Sequence, residues 1–210
     1  MTGYASWTMK HPAALPLQPA ARDRLERYLD LLYEVGASHN LTRVPRQDAW
    51  QRHIEESLSL LPLHHWSADE VILDLGSGGG VPGIPLAIAV PQVRVLLLER
   101  NLTKAAFLER CRVELGLDQV EVVARNAEEV AREKPHPRVD ILVSRAAAPP
   151  ARLIPLTAPF LNSSGLALLM VGQSVRISLD LRTLCRRHHL TDPEIVDTGL
   201  TRILMVRKSP

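Results

Sequence analysis

One stretch limits this chain more than any other. From Val71 to Ile88 it runs VILDLGSGGGVPGIPLAI: a short apolar segment that ends in an acid, a string of glycines, then the start of a helix. Gly76, Gly78, Gly79 and Gly80 carry no Cβ, so the backbone there can take conformations closed to other residues, and something bulky can lie against it. A strand that feeds such a turn belongs in a parallel sheet, where ligands collect at the carboxyl ends of the strands, at the point where the strand order reverses.

The rest of the chain has the matching rhythm. Apolar runs at Val71–Leu75, Val93–Leu98, Val120–Val123, Val139–Val143, Leu166–Val171, Glu194–Val196 and Ile203–Val206 predict seven strands. Helices are predicted between them at 82–89, 102–115, 127–132, 151–161 and 175–188, with Pro82 in a first turn and Gly116 as a left-handed cap. Only a turn fits between the last two strands, which predicts an antiparallel hairpin closing a mostly parallel sheet. Ahead of the sheet, Leu25, Tyr28, Leu29, Leu32 and Val35 recur at helical spacing within 20–35, and Gly36 is expected to end that helix. A second helix is predicted over 47–61, stopped by Pro62. The expected organisation is a flexible arm over 1–19 and a single domain over 20–210, made of a helical preface (20–63) and an α/β core (64–210). The length of 210 residues and 46% apolar content supply a core of that size.

Two readings of the glycine turn compete. Gly78, Gly80 and Gly83 satisfy the dinucleotide spacing G-x-G-x-x-G, and Glu99 follows at the distance of a ribose-binding acid, so an NAD-dependent dehydrogenase fits the pattern. Asp74 argues the other way. A carboxylate just before the glycines suits a cationic methionine group better than a pyrophosphate, and Pro82 removes an amide that a phosphate would use. The order therefore favours S-adenosyl-L-methionine, with Glu99 accepting from both ribose hydroxyls in either case. At the ends of the third and fourth strands, the segment ARNAEEV (Ala124 to Val130) is placed to reach an adenine, and Ser144 and Arg145 come to the same sheet edge. Arg145 there can hold a phosphate or the cofactor, or pair with Asp74 or Glu99.

Several separated motifs resemble one known family, the bacterial 16S rRNA guanine-N7 methyltransferases of the RsmG (GidB) type. They are HNLTRV with RHIEESLSLLP, LDLGSGGGVPGIPLAI with its P-G-I-P tail, LLLERNLTKAAFLERC, NAEEV and SRAAAP, in the expected order over about Asn40 to Lys208. The resemblance implies a class I, Rossmann-like methyltransferase with a seven-stranded mostly parallel sheet and a small N-terminal helical extension. It implies methyl transfer from S-adenosyl-L-methionine to N7 of a guanine in the 530 loop of 16S rRNA. Carried onto this sequence, it implies cofactor contacts at Gly76, Val81, Ala127, Glu128 and Arg145, beside the turn residues Asp74, Ser77 and Gly78 and the acid Glu99. His53 and Arg145 fall on the substrate side. Phosphate contacts are expected from Arg43, Arg46, Arg52 and Arg145.

The sequence departs from the family pattern at Glu56, where an aspartate is usual, at Asn126, usually arginine, and at Val171, usually lysine. A methyltransferase acting on another nucleic acid is one alternative, because the cofactor fold does not fix the acceptor, and a non-enzymatic ribosome-assembly protein that binds RNA is the one those two missing cations raise. No catalytic side chain is expected, because guanine N7 has a free in-plane lone pair and no proton to remove.

Cys111 and Cys185 lack metal-ligand spacing, so buried free thiols and no metal site are expected. No apolar run is long enough to span a bilayer, and the start lacks the pattern of a signal peptide, which predicts a cytoplasmic protein without a membrane partner. The formal net charge of +2 permits an anionic partner, with 16S rRNA or the small ribosomal subunit as the one the resemblance implies, and a monomer is expected.

Overall fold

The computed structural model describes residues 17–145 and 148–209, so the arm expected over 1–19 lies almost entirely outside the described residues. At its end, Pro19 already opens the first helix, α1 (Pro19–His39), as a first-turn proline. Leu25, Tyr28, Leu29 and Leu32 form its buried face, as their spacing predicts, and Leu31 joins them. Gly36 does not end this helix. The chain continues to His39, and Asn40 takes the left-handed cap at φ 52°, a conformation its short polar side chain tolerates.

The helix predicted over 47–61 is broken into unlike pieces. A 3-10 turn at Arg46–Asp48 leads into a π-helical segment at Trp50–Glu55, then the short α2 (Glu56–Leu58) and a second 3-10 turn at Leu61–Leu63 that contains Pro62. The widened π turn carries His53 inward and α2 buries Glu56, the kind of local irregularity that re-aims side chains at functional sites.

The seven strands all form: β1 (Val71–Leu75), β2 (Arg94–Leu98), β3 (Val120–Val123), β4 (Val139–Arg145), β5 (Leu161–Val171), β6 (Glu194–Asp197) and β7 (Arg202–Arg207). They make one sheet in the order β3-β2-β1-β4-β5-β7-β6. Only β7 runs against the others, antiparallel to both β5 and β6. The reversal of strand order between β1 and β4 opens a crevice beside the glycine turn.

Between the strands lie α3 (Gly83–Ala89), α4 (Leu102–Glu114), α5 (Ala127–Arg132), α6 (Pro150–Phe160) and α7 (Leu179–Arg187). Some boundaries differ from expectation: β5 begins at Leu161 and not at Leu166, and two helices start late. Pro82 is the cap before α3, not part of its first turn, and α7 starts only after Ser178, whose Oγ accepts from the Leu181 amide at 3.1 Å. Gly116 follows α4 at φ +61°, as predicted.

Period-2 alternation along the strands sorts the core into two layers. Ile72, Val95, Leu97, Ile141 and Val143 pack with α1, α3 and α4. Leu73, Leu75, Leu96, Leu98 and Leu142 pack with α6 and α7 on the other face. Cys111 and Cys185 are buried and unpaired, as expected of core thiols.

Candidate functional site

At the carboxyl ends of β1, β2 and β4 lies a cleft of about 700 Å³. Its floor is the glycine turn. Gly76 and Gly78 both take left-handed backbone, at φ 76° and 57°, and both line the cleft, so the surface they offer carries no side chain. The turn is pinned from below: the amides of Gly76 and Ser77 donate to the Leu98 carbonyl at 2.9 and 3.2 Å, and the Ser77 hydroxyl to the Asp74 carbonyl at 2.9 Å.

The other glycines serve packing. A Cβ on Gly79 would sit 2.8 Å from the Leu41 carbonyl oxygen, and one on Gly83 would sit 2.4 Å from Leu97 Cδ2 and 2.6 Å from Asp74 Oδ2. Thus the bulk that the sequence places against this backbone is in part the protein's own preface and first strand.

The two acids expected at the site part company. Glu99 lies in the cleft wall, 8% exposed, with Oε2 accepting from Gly78 N and Oε1 from Asn101 N, both at 2.8 Å. These backbone bonds, not Lys104 or Arg100, hold its carboxylate, and each oxygen keeps a second lone pair for a hydroxyl donor. Asp74 does not reach the cleft. The pleat turns it to the same face as Ile72, under α3, where it is fully buried. Its Oδ2 accepts from Gly83 N at 3.0 Å and its Oδ1 has no hydrogen-bond partner among the described residues. Burial pushes its carboxyl up to about 7, against the lowering effect of the Gly83 hydrogen bond. Asp74 is an anchor for the start of α3, which corrects the expectation that it faces the methionine group.

The preface closes the other side. His53, 4% exposed, bonds through Nε2 to Thr42 Oγ1 at 2.8 Å, while its Nδ1 stands 3.5 Å from an Arg145 amino group. Burial, then the charges of Arg145 and Arg52, lower its imidazole to about 4, so the ring is neutral near pH 7. Arg145 reaches from the end of β4 to the Arg52 carbonyl and, at 3.6 Å, to the buried Glu56 carboxylate. It therefore pairs with neither Asp74 nor Glu99. Glu56 also takes Arg52. Here the glutamate that departs from the family pattern joins the preface to the sheet.

The remaining expected residues fall as follows. Val81, Ala127 and Glu128 line the cleft, and Asn126 caps α5 by accepting from Glu128 N at 2.8 Å. Arg43 lines the mouth and is exposed. Arg46 and Arg52 do not line it, and both are already paired, Arg46 with Asp30 at 2.6 Å and Arg52 with Glu56. Val171 packs against the second core layer. Sequence reasoning passed over Thr42, Lys104 and Arg152 as cleft residues.

Comparison with known proteins decides among the readings this geometry allows. The family model for rRNA small subunit methyltransferase G, GidB, matches residues 21–196. The chain belongs to that family. A ribosomal RNA small subunit methyltransferase G from Sorangium cellulosum is 38% identical over 196 residues, covering 92% of this chain and 82% of the relative. One from Neisseria meningitidis serogroup A is 40% identical over 159 residues, covering 75% and 74%. Among solved structures, a variant of MtNAS in complex with S-adenosylmethionine superposes with a TM-score of 0.60 at 17% identity, covering 91% of this chain and 77% of that one. M. jannaschii TYW2 in complex with AdoMet gives 0.56 at 17% identity, with 74% of each chain covered. The fold is thus the Rossmann-like one of S-adenosylmethionine-dependent methyltransferases, as the sequence implies. The chain is an enzyme of that class.

Proposed function

We propose that this protein transfers a methyl group from S-adenosyl-L-methionine to N7 of a guanine in the 530 loop of 16S rRNA. The observation that carries the reading is the pairing of a side-chain-free floor, Gly76 and Gly78, with the Glu99 carboxylate fixed beside it by two amides. That donor and acceptor set fits the cofactor: Glu99 for ribose hydroxyls, Ala127 and Glu128 at the start of α5 for the adenine, and Gly76, Ser77, Gly78 and Val81 along its length. Arg145 borders both cofactor and substrate, with His53 and Arg43 on the substrate side. When bound, S-adenosyl-L-methionine supplies an electrophilic methyl carbon on a sulfonium.

The residues of the chain are asked for positioning and not for proton transfer. Guanine N7 presents an in-plane lone pair and no hydrogen, so no base is needed. His53 agrees with this, since Thr42 and Arg145 occupy its two ring nitrogens. What the cleft contributes is orientation: Glu99 and the glycine floor fix one partner, and the rigid link from Arg145 to Arg52 and Glu56 fixes the wall that meets the other. N7 lies on the major-groove edge, which is deep and narrow in an RNA helix, so the guanine enters from a loop or turned out of its stack.

No helix among the described residues is long and apolar enough to cross a membrane. A small-subunit substrate supports a cytoplasmic location, and the cleft residues named above all come from one chain, which supports action as a monomer. The test is transfer of labelled methyl from S-adenosyl-L-methionine to small ribosomal subunits lacking the modification. Label in 16S rRNA that disappears with Glu99→Ala supports the reading; tight cofactor binding with no label in RNA overturns it.

A further inference from the structure

The cations of the cleft divide into two groups. Six line it: Arg43, Arg100, Lys104, Arg125, Arg145 and Arg152, against the two acids Glu99 and Glu128. Arg125 is paired with Glu133, and Arg145 with Glu56. Among the described residues the side chains of Arg43, Arg100, Lys104 and Arg152 make no hydrogen bond or ion pair, and all but the half-buried Lys104 are exposed. They come from three separate places: the loop after α1, the β2–α4 junction, and α6.

This excess of positive charge is not there for the cofactor. S-adenosyl-L-methionine carries an ammonium and a sulfonium against one carboxylate, a net positive charge that a cationic rim repels. Like charges gathered without internal partners need an anionic occupant, or the cleft is only a site of self-repulsion. A single-stranded RNA segment meets the need, because its phosphates run past the rim while one base enters between them.

We infer that Arg43, Arg100, Lys104 and Arg152 form a phosphate track that holds single-stranded RNA on both sides of the cleft, whereas Arg46 and Arg52, committed to Asp30 and Glu56, do not take part. The inference rests on the RNA methyltransferase reading and names how its substrate is gripped.

The experiment measures binding of a fluorescent single-stranded RNA oligonucleotide to the full chain across a salt series. Each of Arg43→Ala, Arg100→Ala, Lys104→Ala and Arg152→Ala is expected to flatten the slope of log affinity against log salt by about 0.7, the value for one phosphate on a single strand. Lysine at the three arginine positions restores the slope, and Arg46→Ala leaves it unchanged. Slopes unaffected by the four substitutions, or affected equally by Arg46→Ala, overturn the track. So does a poly-glutamate probe that depends on the same four residues while RNA binding does not. Methyl transfer measured on the same preparations keeps the two ideas apart: the predicted slopes with no transfer leave the track standing and remove the reaction, and transfer with unchanged slopes does the reverse.

Discussion

The hydroxyl of Tyr28 donates to the carbonyl oxygen of Gly79 at 2.6 Å, across 51 residues of sequence. Tyr28 is fully buried in α1, and Gly79 sits where a Cβ would strike the Leu41 carbonyl, so preface and glycine turn pack as one unit. Tyr28→Phe keeps the ring and leaves that carbonyl without its donor. It is expected to lower stability by about 1 to 2 kcal/mol and to weaken cofactor binding, read by urea denaturation and calorimetry. Unchanged values in both would detach the preface from the site.

Gly83 is the tighter of two test glycines. Gly83→Ala drives a methyl into Leu97 and Asp74 and is expected to cost about 1 to 3 kcal/mol, whereas Gly172→Ala, with nothing within 4 Å, changes stability by less than about 0.5 kcal/mol. Equal denaturation midpoints for the two variants would contradict the packing described for the start of α3.

Two buried groups pull the pH dependence of stability in opposite directions. Asp74 is raised from 3.8 to about 7, so between those values the folded state holds a proton that the unfolded chain has released, and stability falls as pH rises through that window. His53 is lowered from 6.5 to about 4, so there the unfolded chain holds the extra proton, and stability is lost as pH falls from 6.5 toward 4. Denaturation from pH 4 to 7 should show Asp74→Asn with a steeper rise in stability with pH than the parent, and His53→Gln with a steeper fall. Parallel profiles for all three proteins would refute both assignments.

Glu56 stands between two guanidinium groups while 4% of its side chain is exposed. Glu56→Gln leaves Arg145 without its counter-charge in the cleft wall. A loss of about 3 kcal/mol is expected, with kcat falling more than KM rises, because orientation of the wall is lost and not the cofactor floor. A change confined to KM would assign Glu56 a binding role instead.

The strands and the floor of the site were legible in the sequence because their signals are local. Apolar runs between helix-length gaps mark β1 to β5, and an acid closing β2 marks Glu99. Side-chain direction was less so: Asp74 looks like a cleft residue until the pleat places it with Ile72 under α3. What could not be read was partnership over distance. Arg145 donates to the Arg52 carbonyl 93 residues away, and nothing near either residue announces it. Exposed arginines are alike in sequence, so Arg46 and Arg152 separate only when Asp30 is found beside the one and the cleft beside the other. The irregular turn that buries His53 and Glu56 was also hidden, since their period resembles an ordinary amphipathic helix.

Methylation at guanine N7 has a chemical signature of its own. A guanine methylated at N7 carries a positive ring that borohydride reduces, after which aniline cleaves the RNA chain at that nucleotide. Small ribosomal subunits lacking the modification, incubated with the enzyme and S-adenosyl-L-methionine, are predicted to gain one such cleavage in the 530 loop of 16S rRNA, absent with Glu99→Ala. Methyl label incorporated into the RNA with no new cleavage after borohydride and aniline would place the transfer on an atom other than guanine N7.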